Sequence, residues 1–239
     1  MSVLTFVPGN IWFLSQRCYN DKPLLADSVD RRRWMYWLFQ ARRRFGLSVL
    51  NYVALPNEVN LLVMDRRRGE IRSSLPFLAD AMAKDYHQRH QQPTPLWEDD
   101  YQAMRLNLDV KGLGQCLSDM DVSVVCAKVA AHPKLWPESG YHELLYPPKR
   151  ARRVDFTALQ RLLNPIDFSR LQSQRTRWVR QAMNLIESDA VYAPHSAVLS
   201  HAIGATPQPL KLLHSKTLNS LPLPMTVLNP ELVPKRYIT

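Results

Sequence analysis

Long apolar runs are missing from this 239-residue chain. No stretch approaches the roughly 18 to 20 apolar residues that a membrane-spanning helix requires, so no membrane partner is expected. The opening residues, MSVLTFVPGNIWFL, carry no basic leader and break their apolar character with Pro8, Gly9 and Asn10. That pattern argues against a signal peptide. Cysteine is scarce: Cys18, Cys116 and Cys126 are scattered and odd in number, which fits neither a disulfide framework nor a zinc ribbon. A reducing, cytoplasmic compartment is the expectation. Internal repeats are also lacking.

Basic charge, by contrast, is abundant. Lys and Arg number 31 against 21 acids, for a net charge of +10. Such a balance favours a polyanionic partner, most often nucleic acid. The cations are clustered, in Arg31-Arg32-Arg33, Arg42-Arg43-Arg44, Arg66-Arg67-Arg68 and Lys149-Arg150-Ala151-Arg152-Arg153. A single charged run is commonly just a solvated face, but four runs of one sign point to phosphate, which the guanidinium fork suits well.

Periodicity predicts a strand over 10–17, then a helix capped by Asp27, Ser28 or Asp30 and ended by Gly46. Residues 47–55 and 58–64 read as two strands joined at Pro56-Asn57. Residues 69–91 look helical, with Pro76 requiring the helix to begin near it. A further strand falls within 92–110, a helix over 112–130, and two more over about 155–163 and 167–188. The sum is an α+β fold: an antiparallel sheet with helices packed on one face, plus a C-terminal helical extension. The expected divisions are a core over 1–148, a basic helical extension over 149–190 and a Pro-rich tail over 191–239.

Within the third strand, Glu58 and Asn60 fall on one face, two residues apart. They read either as turn and edge residues or as the remnant of a site. Segments along the chain weigh on that choice. Trp12 to Cys18 (WFLSQRC), Asp30 to Trp34 (DRRRW) with Phe45-Gly46, and Tyr52 to Val63 (YVALPNEVNLLV) occur in that order. Thr94 to Tyr101 (TPLWEDDY) and Ala127 to Tyr141 (AKVAAHPKLWPESGY) follow. This ordered set, over roughly residues 8–148, resembles the REP-associated tyrosine transposases, single-strand transposases with a ferredoxin-like HUH nuclease core.

The resemblance implies recognition of DNA hairpins with an adjoining single strand. It also implies a divalent metal held by two histidines and a tyrosine that forms a phosphotyrosine intermediate. Glu58 and Asn60 stand at the positions of those histidines. The tyrosine position falls near Met82, with Tyr86 one helical turn along as a substitute nucleophile. One carboxylate and one amide make a weak ligand pair for Mg²⁺ or Mn²⁺. His87 and His90 flank Tyr86 as further candidate ligands, while Asp99 and Asp100 replace a glycine and an arginine.

The expectation is therefore a catalytically inactive, nucleic-acid-binding relative with no cofactor. Mg²⁺ or Mn²⁺ would be needed only if activity remains. The candidate phosphate contacts are Arg17, Arg31, Arg32, Arg42, Arg43, Arg66, Arg67, Arg68, Lys149, Arg150, Arg152 and Arg153. Trp12 and Tyr19 are candidates for base stacking, with a buried core position open for Trp12. Two alternatives stand beside this reading. One is a residual strand-cleaving and strand-joining transposase using Tyr86. The other is a scaffold whose C-terminal region binds protein partners within a nucleoprotein assembly.

Overall fold

The computed structural model describes residues 9–66, 69–91, 94–98, 101–165 and 167–188, together with the backbone of 208–210. Strand β1 (Ile11–Arg17) leads through a short turn to helix α1 (Ser28–Phe45), then to strands β2 (Ser48–Ala54) and β3 (Glu58–Met64). Helix α2 (Glu70–His90) and strand β4 (Tyr101–Leu106) complete a β-α-β-β-α-β unit. The strands lie in the order β2-β3-β1-β4, all antiparallel, which is the ferredoxin-like arrangement. A short strand β5 (Gln208–Leu210) extends the sheet beyond β4.

Local chemistry sets the element ends. Asp27, one of the expected caps, accepts from the Val29 amide at 2.8 Å, and Gly46 closes α1 at φ 78°, where a side chain would be strained. Helix α2 corrects the expectation for Pro76, which sits inside the helix, six residues after its start at Glu70. The missing proline hydrogen bond is outweighed because the turns on either side bury Ile71, Leu75 and Leu78.

Both faces of the sheet are covered, and register shows how. Tyr52 stands opposite Leu61 on β3, and its ring meets Trp34 of α1 at 6.0 Å, so this face carries α1 and α2, as expected. Val53 stands opposite Asn60 on the other face, where it clusters with Val124 and Trp136. Val124 belongs to α3 (Val110–Cys126), so α3 lies over the second face. Helices α4 (Gly140–Leu145) and α5 (Phe156–Leu163) pack against the edge strand β2, and α6 (Phe168–Glu187) packs on α3; Leu159, Leu171 and Val179 join the same hydrophobic core as the sheet.

A buried polar knot ties the second layer down. Asn51 of β2 donates to Asp121 of α3 at 2.9 Å, and Arg175 of α6 grips the other oxygen of Asp121 at 2.5 Å. Arg175 is 1% exposed, so its charge depends on that carboxylate. Gly140 of α4 lies so close that a Cβ there would sit 2.2 Å from Asn51 Oδ1.

Candidate nucleic-acid interface

Each end of the sheet holds one group of the expected site residues. At the Glu58 end, alternation places Arg17 and Ser15 of β1 beside Glu58 and Asn60 of β3, partners in register on one face. Glu58 is half-buried, and Asn60 Nδ2 donates to Glu58 Oε1 at 3.1 Å. Burial pushes the Glu58 carboxyl above its ordinary value, against the opposing pull of Asn60 and Arg17. These two residues therefore satisfy one another. Among the described residues no group of three or more His, Cys, Asp or Glu converges on a cation position. The pair does not fit a catalytic divalent metal, which needs several oxygen or nitrogen ligands.

Tyr86 is not brought to this pair. It lies on α2, on the α1 side of the sheet, 6% exposed, with its ring stacked on His90 at 4.1 Å. His90 reaches the Asp30 carboxylate at 3.1 Å, and Arg89 pairs with Asp30 at 2.5 Å. His87 faces the Thr94 carbonyl at 2.8 Å. Burial raises the Tyr86 phenol above its usual range, and nearby Asp30 adds to the effect. A nucleophile must shed its proton and reach phosphorus, and this environment opposes both. Met82 is fully buried in the core.

At the opposite end of the sheet, about 20 Å along β3 by strand rise, the cations gather. The last turn of α1 carries Arg42, Arg43 and Arg44, with Arg43 and Arg44 exposed. Arg42 donates to the Arg152 carbonyl, which brings the 149–153 segment against α1. That segment runs on to Val154, bridged to Val49 at the start of β2, and to Asp155, which pairs with Arg66 at 3.3 Å. Arg66 also donates its amide to Glu70 at 3.0 Å, joining the first turn of α2 with its exposed Arg72. Lys149, Arg150 and Arg152 are exposed beside them. The acids within this group, Glu70 and Asp155, are buried, so its outer surface is cationic.

The structure removes two members from the candidate set. Arg31 is 7% exposed; it donates to the Leu25 and Ala26 carbonyls, pairs with Glu138 at 3.4 Å and lies over the Trp136 ring at 4.4 Å. Arg153 is 6% exposed and bonded to the Met35 carbonyl and Glu143. Both lock loops to the core, and neither reaches solvent phosphate. Arg32 is partly buried and donates to Ser28 on the first turn of α1. Trp12 is a core residue, whereas Tyr19 is exposed beside Arg17. Arg67, Arg68, Asp99, Asp100 and all but 208–210 of the 191–239 tail lie outside the described residues. Arg44 and Arg72 join the surface although the sequence alone does not mark them as phosphate contacts. Arg44 belonged to a noted run, and Arg72 falls on the outward side of the α2 pattern.

No family model matches the chain, and no curated protein matches it in sequence. Among solved structures, a REP-associated tyrosine transposase bound to a REP hairpin is similar over 66% of this chain and 95% of its own, at 14% identity and a TM-score of 0.49. No described helix is long and apolar enough to cross a membrane.

Proposed function

We propose that the protein binds nucleic acid, a DNA hairpin or single strand in the first instance, and does not cut it. The observation that carries this reading is the convergence of α1, the β3–α2 junction and residues 149–152 at one end of the sheet. Exposed Arg43, Arg44, Arg66, Arg72, Lys149, Arg150 and Arg152 meet there with their acids turned inward. A cationic surface of this kind releases counterions when it meets a phosphate backbone.

The ordered motifs and the ferredoxin-like strand order support descent from a REP-associated tyrosine transposase. Loss of cleavage is supported by the mutual pairing of Glu58 and Asn60 and by the burial of Tyr86 away from them. No metal role is assigned to Glu58 and Asn60; Mg²⁺ or Mn²⁺ belongs only to the residual-transposase alternative. A cytoplasmic location goes with this reading, since Cys18, Cys116 and Cys126 are free thiols.

The test incubates the full chain with a labelled DNA hairpin and Mn²⁺, then splits each sample between a native and a denaturing gel. A native complex that vanishes on denaturation is expected. A covalent adduct that disappears in Tyr86→Phe would instead establish the transposase alternative.

A further inference from the structure

Helix α6 holds cations on the side that the described residues leave exposed. Its buried residues Leu171, Arg175, Val179 and Ala182 face α3 and the core. At 100° per residue, Arg170, Arg177 and Arg180 fall on the opposite side, and all three are exposed. Ser173, Gln181 and Asn184 share that side and are exposed as well.

From Phe168 to Ile186 the helix contains no acid. Arg31, Arg33 and Arg89, on α1 and α2, each have a carboxylate partner, whereas Arg43 and Arg44 at the basic end of the sheet are exposed like the α6 arginines. Among the described residues, Arg170, Arg177 and Arg180 have no carboxylate partner. Like charges at i and i+3, as at Arg177 and Arg180, cost a few tenths of a kcal/mol in an isolated helix.

We propose that this face of α6 docks against a base-paired stem of nucleic acid and grips the phosphates of both strands. The proposal rests on the nucleic-acid reading above and adds a second contact surface and a form of ligand. Charge selects a polyanion, and geometry selects a paired one. Arg170 and Arg177 stand about 10 Å apart along a rigid axis, comparable to the ~12 Å width of a major groove. The flanking Ser, Gln and Asn side chains are ordinary phosphate partners.

Unpaired bases, by contrast, need an aromatic platform, and this face has none. The aromatic residue nearest it in sequence, Trp178, turns inward, 2.9 Å from where a Cβ on Gly114 would stand.

The test uses the full chain and two labelled probes, a DNA hairpin with a stem longer than one helical turn and a single strand of equal length. Affinity is measured from low to moderate salt for the wild type and for R170Q/R177Q/R180Q. Glutamine keeps a high helix propensity at these exposed sites, so the variant is expected to melt with the wild type. The three single variants serve as a second series.

The triple variant is expected to lose roughly 500-fold in hairpin affinity at about 0.1 M salt, with a salt slope shallower by about 2.7, or about 0.9 per arginine. Its single-strand affinity should change less than about tenfold. Unchanged hairpin affinity and slope would overturn the inference while leaving the binding reading intact. An equal loss on both probes would overturn the assignment to a paired stem. Wild-type protein that binds neither probe would remove the binding reading and this inference with it.

Discussion

Replacing Gly140 with alanine probes the joint on which the second layer of the fold depends. The added Cβ would sit 2.2 Å from Asn51 Oδ1, 3.1 Å from the Tyr52 amide nitrogen and 3.3 Å from Asn51 Cγ. Asn51 cannot swing away freely, because it is fully buried and its Nδ2 holds Asp121 at 2.9 Å. Relief requires either a backbone shift, at a typical overpacking cost of about 1–3 kcal/mol, or loss of the Asn51–Asp121 bond. A hydrogen bond to a charged group contributes about 1.5–3 kcal/mol. G140A should therefore destabilise the protein by about 1–3 kcal/mol, read as a lowered urea midpoint at unchanged m-value. A double-mutant cycle isolates the cause. In an N51A background the Oδ1 clash is gone, so the same glycine change should cost at least about 1 kcal/mol less. Equal costs in both backgrounds would refute the steric reasoning, as would a G140A protein within about 0.5 kcal/mol of wild type.

Three other outcomes follow from the same geometry. D121A should destabilise by about 3–5 kcal/mol in urea titration, because it leaves the Arg175 guanidinium buried without its carboxylate. Glu58 has a folded pKa raised by burial, so its contribution to stability is full at acid pH and fades as pH climbs through that raised value. E58Q should thus gain thermal stability over wild type as pH is increased from about 4 to 7, and a gap that narrows over that range would contradict the assignment. R43Q/R44Q/R150Q should cut affinity for a DNA hairpin about 500-fold at ~0.1 M salt if each cation holds one phosphate, measured by anisotropy titration.

Much of the architecture was legible because its signals are local. The Asp27 cap, the Gly46 stop and the β2–β3 hairpin each fix an element within a few residues of themselves. Pro76 misled because the rule against interior proline is also local, and burial of Ile71, Leu75 and Leu78 overrides it through contacts made across the fold. The binding surface was half visible. Runs such as Arg42–Arg44 announce charge, but sequence does not tell a guanidinium in solvent from one folded inward. Arg31 and Arg153 are the case in point, for their partners Glu138 and Glu143 are set by tertiary packing. The arginines of α6 are not legible in the sequence because, spaced across a helix, they form no run. Only the burial of Leu171, Val179 and Ala182 shows which side they share.

The most direct test of the account is the slope of log affinity against log salt for the full chain on a DNA hairpin. With about seven phosphates engaged by the basic end of the sheet, the slope should lie near −6, and near −9 when the three α6 arginines are engaged as well. A slope near zero, or no measurable binding at low salt, would contradict the claim that this cationic surface is built for a nucleic-acid backbone.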